Sequence, residues 1–322
     1  MRPLADGAVH HLQRVLGEPE VPGGRYQVLA EVGAGGMGVV HRALDRVLGR
    51  EVALKALRPD LAGSEIAARL AREALILARL EHPGIVPVHD AGTLADGRAF
   101  YVMKLVRGTR LEDAVRALPL AEVLRLFLRI CETVEFAHAK GVIHRDLKPS
   151  NIMVGPYGEV LVLDWGIARV VHEGPEQEAA SGPKPAVPTE GDTGPGAVLG
   201  TPGYMAPEQA QGWPHLVDAR SDVFGLGAIL RGLASVPGAE PVPRPLASIC
   251  RRACAPDSAG RYASAAALGA DVIRFLDGEP VEAHRETVLE RGGRLFRRYQ
   301  TAIVLVLTYL VIRFVFLVAR GM

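Results

Sequence analysis

His144-Arg145-Asp146-Leu147-Lys148-Pro149-Ser150-Asn151 stands between an apolar run, Val134 to Ile143, and a second one, Ile152-Met153-Val154. The pattern places a dense polar group in a tight loop between two buried segments. Asp146 offers a carboxylate that can accept a hydroxyl proton, Lys148 an ammonium for a phosphate, and Asn151 an amide oxygen for Mg²⁺. The bland alternative is a surface turn that happens to carry a proline. Matching partners elsewhere in the chain argue against it.

Upstream, Tyr26 to Val32 alternates as a strand and runs into Gly33-Ala34-Gly35-Gly36-Met37-Gly38-Val39-Val40. Without side chains at Gly33, Gly35 and Gly38 the backbone can fold close over phosphate oxygens. A dinucleotide-binding loop uses similar glycines but opens a helix, whereas here Val39 to Ala43 resumes a strand. The next strand, Glu51 to Leu57, carries Lys55 inside an apolar run, and a lysine so placed needs a partner to offset burial. Glu73 is the expected one, on a helix over Ser64 to Leu80 whose Leu70, Ala74, Leu77 and Leu80 share a face. Strands over Ile85 to Gly92 and Ala99 to Val106 complete a small antiparallel lobe. Past the connector Val106-Arg107-Gly108-Thr109 the periodicity turns helical, from Leu111 to Lys140, with an interruption at Pro119.

Downstream, the short strand Val160 to Leu163 ends in Asp164-Trp165-Gly166, and the Asp164 carboxylate supplies the second oxygen ligand that a bound Mg²⁺ needs. His172 to Ala197 has almost no large apolar residue, too little to offset its ordering entropy, and is expected to be mobile. Ser181, Thr189 and Thr193 lie within it. After Leu199-Gly200-Thr201-Pro202-Gly203-Tyr204-Met205-Ala206-Pro207-Glu208, an apolar helix is expected over Ser221 to Leu230, with Asp222 in its first turn and suited to capping backbone N–H groups. Further helices are expected over Leu246 to Ala255 and Ala263 to Leu276.

The net charge of +1 on 322 residues gives no argument for a nucleic-acid partner. Cys250 and Cys254 lie on one expected helix without further ligands at metal-binding spacing, so they and Cys131 read as core thiols in a reducing compartment. Residues 1–25 read as a loose arm without a signal peptide. Thr301 to Ala319 is almost wholly apolar, and at about 1.5 Å per residue it matches a bilayer's hydrocarbon core. Arg313 opposes this by about 2.5 to 3.5 kcal/mol if central, a cost that snorkelling reduces. Arg291, Arg294, Arg297 and Arg298 before the span, against Arg320 after it, place residues 1–300 in the cytoplasm. The expectation is one membrane helix over 301–319, preceded by a basic juxtamembrane segment over 278–300, with the lipid bilayer as a partner.

In this order, GxGxxGxV, Val52-Ala53-Leu54-Lys55, the opening octapeptide, Asp164-Trp165-Gly166 and Ala206-Pro207-Glu208 resemble the eukaryotic-type (Hanks-type) serine/threonine protein kinases of bacteria, especially membrane-anchored ones, across residues 26–277. The resemblance implies an α+β, two-lobed fold: a small antiparallel β lobe with one helix over 26–106, a larger helical lobe over 107–277, and an activation segment over 164–208. It implies ATP as phosphoryl donor with Mg²⁺, or Mn²⁺ in its place. Lys55, paired with Glu73, would hold the α- and β-phosphates, Asp146 would accept the substrate proton and Lys148 would steady the γ-phosphate. Asn151 and Asp164 would bind the metal. Val32, Gly33, Ala34, Gly35, Gly36, Met37 and Gly38 would roof the nucleotide, and Val40, Ala53 and Met153 would sandwich adenine. Leu105 and Val106 would form the hinge, Met103 would guard the back pocket, and Thr201 would belong to the substrate loop. Glu208 should pair with Arg261, and Asp222 should tie the helical lobe to the catalytic loop.

The implied partners are Ser/Thr-bearing protein substrates in signal transduction and a second copy of the chain for trans-autophosphorylation. Trp165 replaces the usual Phe, Lys104 an acidic hinge residue, and Gly232 to Leu246 is short where the family carries a substrate-docking helix. Arg145 beside Asp146 resembles kinases switched by phosphorylation between Asp164 and Glu208. A catalytically weak scaffold is the competing reading. A small-molecule phosphotransferase is disfavoured by Gly-Thr-Pro-Gly-Tyr and Ala-Pro-Glu.

Overall fold

Strand alternation in the first hundred residues builds one antiparallel sheet, ordered β1-β2-β3-β5-β4. Its strands are β1 (Tyr26–Ala34), β2 (Gly38–Asp45), β3 (Arg50–Leu57), β4 (Val88–Thr93) and β5 (Ala99–Lys104). The structure is a computed structural model, and it describes residues 19–35, 38–61, 65–165, 168–170, 203–235, 241–287, 291–292, 304–314, 316 and 320. The pleat of β3 and β5 sorts their side chains in two directions. Val52, Leu54, Ala56, Phe100 and Val102 join Tyr26 and Ala43 in one core. Leu57 and Tyr101 face the other way, into the main core with Leu70, Ala74 and Leu77 of α1 (Glu65–Arg79).

That main core continues into the helical lobe, so a single apolar cluster joins both halves. The helices there are α2 (Leu111–Ala114), α3 (Leu120–Ala139), α4 (Pro207–Ala210), α5 (Ala219–Ala234), α6 (Arg244–Ala253) and α7 (Ala265–Leu276). Val123, Phe127, Ile130, Val134 and Ala137 of α3 recur at helical spacing and are buried. Helix α5 is buried along nearly its whole length, as expected of an apolar helix at the centre of a lobe. Short strands β6 (Thr109–Arg110), β8 (Ile152–Val154) and β9 (Val160–Val162) form one ribbon, and β7 (Val142–Ile143) pairs with β10 (Arg169–Val170). These ribbons hold the opening octapeptide between them.

The sequence expectations need three adjustments. The strand expected from Ile85 begins at Val88, because Pro87 has no N–H to give a ladder; Ile85 instead makes a lone parallel bridge to Val162. The helical stretch from Leu111 is interrupted at Pro119 as expected, into α2 and α3. Asp222 does not cap its own helix: α5 begins earlier and Asp218 accepts from Arg220 N at 2.8 Å instead. Finally, among the described residues no helix is long and apolar enough to cross a membrane. Of the expected span 301–319, residues 304–314 are described as helix with their large apolar side chains exposed, from 49% at Leu310 to 67% at Phe314. Residues 301–303, 315 and 317–319 lie outside the described set, as do 1–18, 171–202 and most of 278–300 beyond Thr287.

Candidate active site

His144 follows β7 and is fully buried. Its Nδ1 accepts from Asp146 N at 3.2 Å, so the ring proton sits on Nε2, which donates to Leu163 O at 3.0 Å. Arg145 adopts φ 70°, a left-handed conformation that costs a residue with a Cβ. Two side chains hold it there. The Asp222 carboxylate accepts from His144 N and Arg145 N, both at 2.8 Å, and Gln209 Nε2 donates to Arg145 O at 2.8 Å. His138 Nε2 lies 2.7 Å from Asp222 Oδ2. Burial alone would raise the Asp222 carboxyl, but His138 and the loop N–H groups hold it below its ordinary 3.8.

The loop so fixed presents Asp146, whose Oδ2 accepts from Lys148 Nζ at 2.6 Å and from Asn151 Nδ2 at 3.1 Å. Asn151 Nδ2 also donates to Asp146 O at 2.9 Å, which commits the amide N–H groups and leaves Oδ1 as an acceptor suited to a cation. Leu163 N donates to Asn151 O at 2.7 Å, and this brings the end of β9, and hence Asp164, onto the same loop. Asp164 also has a positive φ, 60°, and its side chain is 46% exposed. Left-handed backbone thus occurs at Asp164 and at Arg145, the residue before Asp146, and functional sites are where such cost is usually stored.

From the β lobe, Lys55 Nζ donates to both oxygens of Glu73, at 2.9 and 2.8 Å, and lies 3.8 Å from Asp164 Oδ1. The expected pair is therefore formed, and one ammonium links α1 to the carboxylate after β9. Burial pushes the Glu73 carboxyl above its ordinary value against the pull of Lys55, so its ionised form depends on its donors. Trp165 is 1% exposed, its Nε1 donates to Val162 O at 3.2 Å, and its ring centroid is 4.6 Å from that of His144. The larger ring is accommodated, and Asp164 keeps its place beside Lys55.

The glycine stretch forms a hairpin as expected, with Gly33 paired to Val40, Ala34 to Val39, and Gly35 N donating to Gly38 O at 2.9 Å. Gly38 has a second reason to be glycine, since a Cβ there would sit 2.5 Å from Ala56 O on β3. Val32 is 58% exposed on β1. Ala53 is buried and paired in register with Met103, while Val40, Met103, Leu105, Val106 and Met153 are half-buried. Exposed Lys104 lines a hollow of about 410 Å³ with Arg50, Glu51, His89, Leu105 and Arg107. Gly36, Met37 and Thr201 lie outside the described residues. Beyond Thr201, Glu208 and Arg261 form a buried two-point pair, both contacts at 2.7 Å, and Ser221 Oγ donates to Glu208 at 2.6 Å.

Sequence reasoning passed over Tyr101, His138 and Gln209, which act on Glu73, Asp222 and Arg145. A hydroxyl inside the apolar run Phe100-Tyr101-Val102-Met103 was a signal for the first, because buried phenols find partners. Nothing local marks the other two, whose partners are 84 and 64 residues away.

Lobes and cleft together define a two-lobed protein-kinase architecture. The family model described as the protein kinase domain matches residues 26–245, and the chain belongs to that family. A serine/threonine-protein kinase PknD of Protochlamydia amoebophila is 36% identical over 297 residues, covering 79% of this chain and 30% of its own length. A probable serine/threonine-protein kinase PknB of Bifidobacterium longum is 34% identical over 296 residues, covering 80% of this chain and 40% of its own. The chain thus spans less than half the length of either relative. The crystal structure of the Mycobacterium tuberculosis PknI kinase domain superposes with a TM-score of 0.56 at 26% identity, covering 78% of this chain and 96% of that one.

Proposed function

We propose that the chain is a serine/threonine protein kinase that moves the γ-phosphoryl group of ATP to Ser/Thr hydroxyls of itself and of cytoplasmic proteins in signal transduction. The observation that carries this is Lys55 meeting Glu73 and Asp164 together, while the loop pinned to β9 presents Asp146, Lys148 and Asn151. Phosphoryl transfer asks of a protein mainly positioning and charge. The acceptor oxygen forms its bond to the γ-phosphorus as the bond to the β-phosphate's bridging oxygen breaks, and ADP leaves. Asp146 takes the acceptor's proton. Lys148 follows the charge on the transferring group, and Lys55, aimed by Glu73, holds the remaining phosphates under the hairpin of Gly33 to Gly38. Val40, Ala53 and Met153 enclose the base, with Leu105 and Val106 as hinge and Met103 behind it.

Asn151 Oδ1 and the exposed Asp164 carboxylate are hard oxygen donors, the set that Mg²⁺ or Mn²⁺ prefers. When bound, such an ion neutralises phosphate charge. Trp165 does not favour the scaffold reading, because its indole is buried with its N–H satisfied.

The proposed organisation is a kinase domain over 26–277, its activation segment over 164–208 with Thr201 in the substrate loop, a basic segment over 278–300 and a membrane anchor over 301–319, with the kinase domain on the cytoplasmic side of the cell membrane. Support for the anchor is the exposed apolar helix over 304–314 together with the length of the apolar run. Trans-autophosphorylation in a homodimer is part of the same proposal. Incubation of the purified chain with Mg-ATP and a protein acceptor tests the reaction. Phosphoserine or phosphothreonine should form, and Asp146→Asn should abolish it while the fold persists; equal labelling by both proteins contradicts the reading.

A further inference from the structure

One polar side chain that none of the motifs supplies reaches the catalytic ion pair. Tyr101 lies in β5, is 2% exposed, and donates its hydroxyl to Glu73 Oε1 at 3.0 Å. Lys55 Nζ donates to the same oxygen at 2.9 Å and to Oε2 at 2.8 Å. Tyr101 is also the direct cross-strand partner of Lys55 in the β3–β5 register, and the ammonium lies 5.8 Å from its ring centroid. Two donors on adjacent strands of one sheet therefore project side by side onto one carboxylate that arrives from a helix. Burial holds the phenol well above its ordinary value, so it stays a proton donor.

This placement matters because α1, unlike the strands, is not held to the β lobe by the sheet ladder. Its docking depends on side chains: the apolar face of Leu70, Ala74 and Leu77, and the Glu73 carboxylate. A single ammonium on a flexible stem can follow a carboxylate that moves. A phenol on a rigid strand has only two rotatable bonds and fixes where the carboxylate sits. Resting on the reading of this cleft as a kinase site, we propose that Tyr101 is a positioning residue for phosphoryl transfer, its hydroxyl fixing Glu73 so that α1 stays docked and Lys55 stays aimed at the nucleotide phosphates.

The test is Tyr101→Phe in the full chain, assayed with wild type, Glu73→Gln and the double variant. Phe keeps the ring and removes one O–H. Expected is a loss of about tenfold in kcat/KM for ATP, the factor for one hydrogen bond to a charged group, with KM for the protein acceptor unchanged. In the Glu73→Gln background, read by radiolabelled ATP, the same change should cost less than about twofold, because the charged partner is gone. A further tenfold loss there would show that the Tyr101 hydroxyl acts independently of Glu73 and overturn the proposal. So would an unaffected Tyr101→Phe, or a loss that tracks the unfolded fraction in a thermal melt of the same sample. Absence of transfer by wild type overturns the kinase reading and this proposal with it, whereas an active wild type with an unaffected Tyr101→Phe overturns this proposal alone.

Discussion

Replacing Asp222 with Ala should unfold the helical lobe's hold on the catalytic loop. The side chain is 2% exposed and accepts from His144 N, Arg145 N and His138 Nε2. Its removal leaves buried donors unsatisfied at about 1 to 3 kcal/mol each. With partial relaxation the sum falls near the 3 to 5 kcal/mol typical of breaking a buried charged pair from one side, a large part of the roughly 5 to 15 kcal/mol that holds a domain together. Arg145 would also be released from its φ of 70°, and Asp146 would move with it. Urea denaturation followed by indole fluorescence reads this directly, since Trp165 is 1% exposed and Trp213 already 47%. Asp222→Asn, which keeps volume and one acceptor, should lose about half as much, and phosphoryl transfer by Asp222→Ala should drop at least a hundredfold, of the order expected for misplaced groups. An Ala variant within about 1 kcal/mol of wild type, or an Asn variant equally damaged, would refute the reasoning.

Three further outcomes follow from the same geometry. Burial opposes ionisation of Glu208, but Arg261 and Ser221 hold its carboxyl below the ordinary 4.5; a depressed carboxyl stabilises fully above that value and loses its contribution as pH falls through its lower, folded one. The denaturation midpoint should therefore drop on acidification below about 4.5, and Glu208→Gln should flatten that dependence at a lower overall stability. Trp165→Phe removes the N–H bond to Val162 O and some ring volume, so it should cost about 1 to 3 kcal/mol in urea titration while initial rates stay within about fivefold. Carbonate-washed membranes should retain the full chain and release one ending at Arg298; a soluble full chain removes the anchor.

Much of the cleft was legible because its chemistry conflicts with its surroundings. Lys55 is conspicuous in an apolar strand, Asp146 to Asn151 crowd polar groups between buried runs, and glycines followed by a resumed strand leave a hairpin as the consistent answer. Those are local conflicts, visible without coordinates. Asp222 was half legible: its place in a first turn suggested a cap, yet the donors it serves lie 78 and 77 residues earlier. Tyr101 is marked in the sequence only as a phenol in an apolar run, and its partner is not legible there because its hydroxyl finds Glu73 only once α1 packs on the sheet. Pro87 shortened β4 by a rule the alternation pattern had masked.

The central claim is that Asp146, brought beside Lys148 and Asn151 on the loop to which β9 and Asp164 are tied, accepts the proton of a Ser or Thr hydroxyl as phosphate arrives. Intact-mass spectrometry of the purified chain after incubation with Mg-ATP measures it most directly. The account predicts mass gains of whole phosphoryl groups, mapped to Ser or Thr, that disappear in a folded Asp146→Asn variant. An unchanged mass for wild type, or equal gains in both proteins, would contradict it.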